Sequence, residues 1–178
     1  EGFIWASNAT GTIANNTAEN NDHGFLVTGR ASPVLTGNNA NNNTTAGFIW
    51  VGSATGIASN NTAEDNDRGF DVEGDSSPEM RGNTANSNTS VGFIWFEQAT
   101  GTASNNSAEN NGLNGFEIQG DASPDLINNT ANFNTQFGFF WFEQAAGTAS
   151  NNTAISNGRA GLRVQWPASP DLTDNYER

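Results

Sequence analysis

The chain has no cysteine and no lysine, and only one histidine, one methionine and one tyrosine among 178 residues. Without cysteine there is no disulfide framework and no thiolate metal site. The lone histidine, His23, cannot build a His-based metal centre by itself, and its place in a turn reads as plain exposed surface. The cations are six arginines against 19 acids, giving a net charge of −13 and a pI of about 4.1. Such a surface repels phosphate backbones, so no nucleic acid partner is expected. It also repels anionic membranes and acidic polysaccharides unless a divalent cation bridges them. No apolar run approaches the length of a membrane span, so no membrane insertion is expected. Only 34% of residues are hydrophobic, below a usual globular share.

What is present opposes the disorder that this composition alone would suggest. Five Trp and 12 Phe remain, and four of the Trp and seven of the Phe fall in register. Glycine followed by Phe or Leu recurs at Gly2, Gly24, Gly47, Gly69, Gly92, Gly115, Gly138 and Gly161, at steps of 22 or 23 residues. Two Asn columns keep the same step, one through Asn61, Asn83 and Asn106, the other through Asn66, Asn88 and Asn111. Two unit types alternate, one like "GFIWFEQATGTASNNSAENN", the other like "GFEIQGDASPDLINNTANFN". Leucine-rich repeats need more Leu than these units hold, and helical repeats need longer 3.6-period stretches. Short strands broken by Gly and Asn turns fit an all-β parallel solenoid of about eight coils, roughly 35–40 Å long at the strand spacing of a sheet.

Alternation along "GFIWF" points Phe93 and Trp95 inward and Ile94 and Phe96 outward. The inward column after Phe alternates Trp50, Val72, Trp95, Ile118, Trp141 and Val164. Across the core the facing column runs Ala58, Met80, Ala103, Leu126, Ala149 and Leu172, so a large residue meets a small one. The first coil departs, pairing Trp5 with Ile13. Asn tolerates the left-handed backbone of tight turns, and stacked amides bond from coil to coil, so the Asn columns read as structural ladders.

With these units in view, "GFEIQGDASPDLINNTANFN" and its sisters resemble the right-handed parallel β-helix repeats of the pectin-lyase-like superfamily, from Gly2 to Asn175. The resemblance implies the right hand. It also implies that function sits on the outward face of the Phe-Trp strand. It does not choose an activity, because that superfamily holds lyases, glycosidases, epimerases, tailspikes and adhesins.

On that face the outward positions mix acids with large apolar side chains. Ile94, Phe96, Glu97, Phe140, Phe142 and Glu143 form the candidate ligand-binding strip, suited to stacking neutral sugars. Asp71 and Glu117 lie two coils apart, about 9.6 Å, near the upper edge for an inverting carboxylate pair. They are the alternative catalytic candidates, although Ile94 stands between them and Arg68 is assigned to a different edge. Asp71, Glu73 and Asp75 are candidate ligands for Ca²⁺, a hard cation that takes oxygen donors. A solvated acidic edge explains the same residues, and no other cofactor is expected. The Thr columns are interrupted by Glu79 and Asp125 and flanked by Pro, which disfavours an ice-binding plane. Sequons such as Asn15, Asn60 and Asn151 follow from an Asn- and Thr-rich repeat.

The expectation is one β-helix domain over residues 1–178, a piece of a longer solenoid, extracellular or at a cell surface. Its expected role is non-catalytic, structural or binding, with a neutral glycan or another protein surface as partner. A polysaccharide lyase or hydrolase is the first alternative, and a purely structural spacer or assembly subunit the second. Exposed strand edges at the ends favour end-to-end self-association.

Overall fold

The computed structural model describes all residues 1–178. It contains strands and turns only, and every strand pair is parallel. One coil shows how the chain is built: strands Val91–Trp95, Thr102–Ser104 and Ser107–Glu109, each lying on its counterpart in the next coil. The result is three unbroken eight-stranded sheets along one axis. Register follows the sequence columns: Phe70 pairs with Phe93, and Met80 with Ala103.

Turns between strands use a left-handed residue at fixed places. Asn105 has φ 54° between the second and third strands, and Asn110 has φ 58° after the third. Asn adopts this conformation at little cost because its short side chain bonds locally. The residue after each such turn, Asn106 or Asn111, is buried and enters a ladder. Asn106 donates from its backbone N and its Nδ2 to Asn129 Oδ1, at 2.9 and 3.0 Å, and from Nδ2 to Met80 O at 3.2 Å. Its own Oδ1 accepts from Asn83 N and Nδ2. The second ladder repeats this through Asn88, Asn111 and Asn134. These amides meet the hydrogen-bonding demand of buried turns that water cannot reach.

The interior is one continuous apolar cluster. The Phe rings from Phe3 to Phe139 stack with centroids 4.7–4.8 Å apart. Trp50, Trp95 and Trp141 alternate with Val72 and Ile118, all wholly buried, and the facing column alternates Ala58, Met80, Ala103, Leu126 and Ala149 as volume requires. Full burial of each Phe contributes about 2–3 kcal/mol. Gly92 also faces inward: a Cβ there would lie 2.8 Å from the Ala108 Cβ and 2.7 Å from Gly115 O. At the last coil Val164 and Leu172, expected in the core, are 37% and 44% exposed, because a coil covers them on one side only.

The outward reading of the first sheet needs one correction. Ile94 points out, as alternation requires, yet it is only 3% exposed, and Ile49 and Asp71 in the same column are buried too. Gly92 and Phe93 both face inward, so the strand bends there and Val91 returns to the outer side. Ala46, Ile49, Val91 and Ile94 are buried but lie outside the interior cluster. The outer face therefore has three columns, and the two flanking ones close over the central one.

Candidate functional site

Each coil contributes three side chains to this outer face: Ala46, Ile49 and Val51, then Arg68, Asp71 and Glu73, then Val91, Ile94 and Phe96. Asn114, Glu117 and Gln119 follow, then Phe137, Phe140 and Phe142. Apolar and polar coils alternate. Within a coil, the first residue reaches the second across the bend. Arg68 Nη1 donates to Asp71 Oδ2 at 2.7 Å, Asn114 Nδ2 donates to Glu117 Oε2, and the Phe137 and Phe140 rings lie 4.9 Å apart. Phe140 stacks in turn on Phe142 at 4.8 Å.

Arg68 does not belong to a separate edge, and a compact Arg, Asp and Glu cluster exists. Its guanidinium carbon sits 5.9 Å from the Phe96 ring centroid, and Asp67 Oδ2 lies 3.8 Å from its Nε. Asp71 is fully buried, and its Oδ1 has no partner. Burial pushes its carboxyl up to about 7 against the pull of Arg68. Burial also raises Glu117, opposed by the Asn114 bond, and Glu73, which is only half-buried. For Arg68 itself, burial opposes the charged form, but the Asp71 partnership outweighs it and the guanidinium is held more firmly protonated.

A carboxyl raised in the fold binds its proton more tightly folded than unfolded. The stability this gives is complete below the ordinary carboxylate range and is lost as pH rises through about 7. The loss for Asp71 is on the order of 4 kcal/mol. Asp71→Asn is therefore expected to melt above the wild type at pH 8, with the gap narrowing steadily as pH falls and closing near pH 4. Thermal melts of both chains across that range check it, since acidic self-repulsion common to both cancels in the difference.

The remaining predicted residues divide. Phe96, Phe140 and Phe142 are half-buried, with ring surface open to solvent, while Glu97 and Glu143 are exposed. Both glutamates have turn geometry, φ 61° and 60°, and their carboxylates accept from Gly74 N and Gly120 N of the preceding coil. They fasten turns as well as edging the strip. Asp71 and Glu117 do share the face, two strands apart with Ile94 between. Asp71, Glu73 and Asp75 do not converge on a common point: Asp71 is taken by Arg68, and Asp75 is an exposed turn residue. A carboxylate and imidazole group that does converge is Glu1, Asp22 and His23. His23 is half-buried rather than plainly exposed, because Glu1 Oε2 lies 3.0 Å from its Nδ1. The column holding Arg68, Asn114 and Phe137 escaped sequence reasoning. Its signal was an i, i+3 pairing of matched chemistry, Arg with Asp, Asn with Glu, Phe with Phe.

Comparison with known proteins bears on the fold. A family described as "Right handed beta helix region" matches residues 1–93 and again 69–176, which agrees with the hand that the resemblance implied. Among solved structures, the periplasmic alginate epimerase AlgG superposes with a TM-score of 0.74 at 17% identity, over 95% of this chain and 50% of AlgG. The pectate lyase Pel9A gives 0.64 at 18% identity, over 86% and 53%. The A-module of the Azotobacter vinelandii mannuronan C-5 epimerase AlgE4 gives 0.53 at 17%, over 97% and 57%. The chain spans about half the length of each. At these identities the likeness is one of fold. Comparison with curated protein sequences gives no match.

Proposed function

This chain belongs to the right-handed β-helix family, and from that premise we propose that it is a non-catalytic extracellular or cell-surface module that binds a neutral polysaccharide along the outer face of its first sheet. The observation that carries this reading is the aromatic strip. Phe96 and Phe142 keep open ring surface two coils apart, with Gln119 placed between them to meet hydroxyls. Rings flanked by amides suit a sugar, whose C–H face stacks while its edge hydrogen-bonds. The net charge of −13 and the absence of Lys favour an uncharged polymer. That similarly folded proteins include an alginate epimerase and a pectate lyase supports polysaccharide as the ligand class.

Catalysis is the second reading, favoured by one observation: Asp71 and Glu117 share the face and both carboxyls are raised. Against it, Asp71 has no accessible surface and stands behind Arg68.

The test is binding and chain cleavage read together on neutral polysaccharides, alginate and pectate, with and without Ca²⁺. Binding to a neutral member without cleavage is expected, weakened about tenfold, ~1.4 kcal/mol, by Phe96→Ala or Phe142→Ala. Cleavage lost in Glu117→Gln would replace the module with an enzyme. Silence across the panel would leave a structural solenoid.

A further inference from the structure

The Arg68–Asp71 pair is an anomaly in its column. Ile49 and Ile94, directly paired with Asp71 on either side, fill the same position with hydrocarbon. An ion pair between two isoleucines is poor as packing, because desolvation offsets much of its attraction. The pair is also asymmetric: the Arg68 side chain keeps 34% of its surface while that of Asp71 keeps none. Arg68 therefore lies on the solvent side, where its guanidinium also rests 5.9 Å from the centroid of the Phe96 ring.

We propose that Arg68 is a latch on Phe96: held by the Asp71 carboxylate it covers a ring face, and when the pair is lost it swings into water and uncovers that face. The latch governs the same ring that the proposed sugar contact uses, and so rests on that reading for its purpose though not for its motion. The geometry gives each part a role. Asp71 anchors through a single oxygen, since Oδ1 has no partner. Arg68 is partly open to solvent and Phe96 is half-buried, so the ring face under the guanidinium is the one at stake.

Protonation of Asp71 is the natural trigger, because burial holds that carboxyl near neutrality, at about 7. Above that pH the anchor is charged and the latch closed. Below it the anchor is neutral and Arg68, which stays charged, gains by returning to water. Few other groups intrude. The adjoining strands present Ala46, Ile49 and Val51 on one side and Val91, Ile94 and Phe96 on the other, none of them titratable. On the same coil Asp67 and Glu73 face Arg68; Glu73 and, farther off, His23 also act on Asp71 itself, and His23 and Glu97 act on Glu73. Glu117 feels Arg68 from two coils away.

The experiment follows the Phe96 ring and the Arg68 Nε–H by NMR from pH 5 to 9, in the wild type, Asp71→Asn and Arg68→Gln. In parallel, affinities for cello-, xylo- and mannohexaose are taken at pH 6 and pH 8. The expected wild-type result is one shared midpoint near 7 for both signals, absent in Asp71→Asn. In Arg68→Gln, which removes the guanidinium from the Phe96 ring, the ring signal stays at its low-pH position throughout. A hexasaccharide that binds should bind several-fold tighter at pH 6 in the wild type and equally at both values in the two variants. A flat wild-type ring signal, or a midpoint that survives Asp71→Asn, overturns the latch. A shared midpoint without hexasaccharide binding upholds the latch and removes sugar stacking from Phe96.

Discussion

Asn106→Asp is expected to lower stability by more than about 3 kcal/mol at pH 7, while Asn105→Asp beside it costs less than about 0.5 kcal/mol. The side chains differ by one heavy atom and the positions by one residue, so the contrast isolates environment. Asn106 is 1% exposed, and its Nδ2 serves two acceptors, Met80 O and Asn129 Oδ1. An Asp there keeps an oxygen for Asn83 but turns its second oxygen onto those two acceptors. A buried anion then faces lone pairs, and the Asn129 amide oxygen loses a donor. Asn105 is exposed at φ 54°, and Asp174 already occupies the same turn position in the last coil at φ 52°. Denaturant melts of the two variants decide it. Equal costs would show that the ladder amides contribute through turn geometry alone.

The second large effect is expected in a column where glycine and proline alternate. Gly101 has φ +101°, and a Cβ there would lie 2.3 Å from Pro78 O, a backbone atom that itself accepts from Thr102 N. Gly11 stands in the same column at φ +116° with nothing within 4 Å of a Cβ. Gly101→Ala therefore combines dihedral strain with collision and should cost more than about 3 kcal/mol. Gly11→Ala carries the dihedral strain alone, about 1–2 kcal/mol. The difference between their denaturation midpoints measures the steric part. Equal midpoints would mean that the coils shift to admit a methyl group and that the stack is softer than its spacing suggests.

The fold could be read from the sequence because a solenoid writes its register into the chain. Phe93 sits on Phe70 and Asn106 bonds Asn129 simply because each recurs at the coil length. Volume exchange between Trp95 and Ala103 was legible for the same reason. The outer face was only half legible. Strict alternation places Ile94 outside, which is correct, and therefore exposed, which is not. The error lies at Gly92, where two successive residues face inward and bring Val91, Arg68 and Asn114 round to the outer side. A repeat column reports which residues lie above one another. It does not report where within a coil the strand bends, and that bend decides whether Asp71 stands in water or under Arg68.

The alternation of Trp with Val or Ile, of Ala with Leu or Met, and of glycine with proline also limits how such a chain can change length. Excising the single coil Gly69–Val91 would lay Trp95 on Trp50 and Ala103 on Ala58, leaving a bulge on one wall and a void on the other. Excising Gly47–Val91 instead would join Ala46 to Gly92 and set Trp95 above Val27, Ala103 above Leu35 and Gly101 above Pro33, the combinations the molecule already uses. Two coils are thus the smallest step by which this rod can be duplicated, trimmed or spliced without rebuilding its interior.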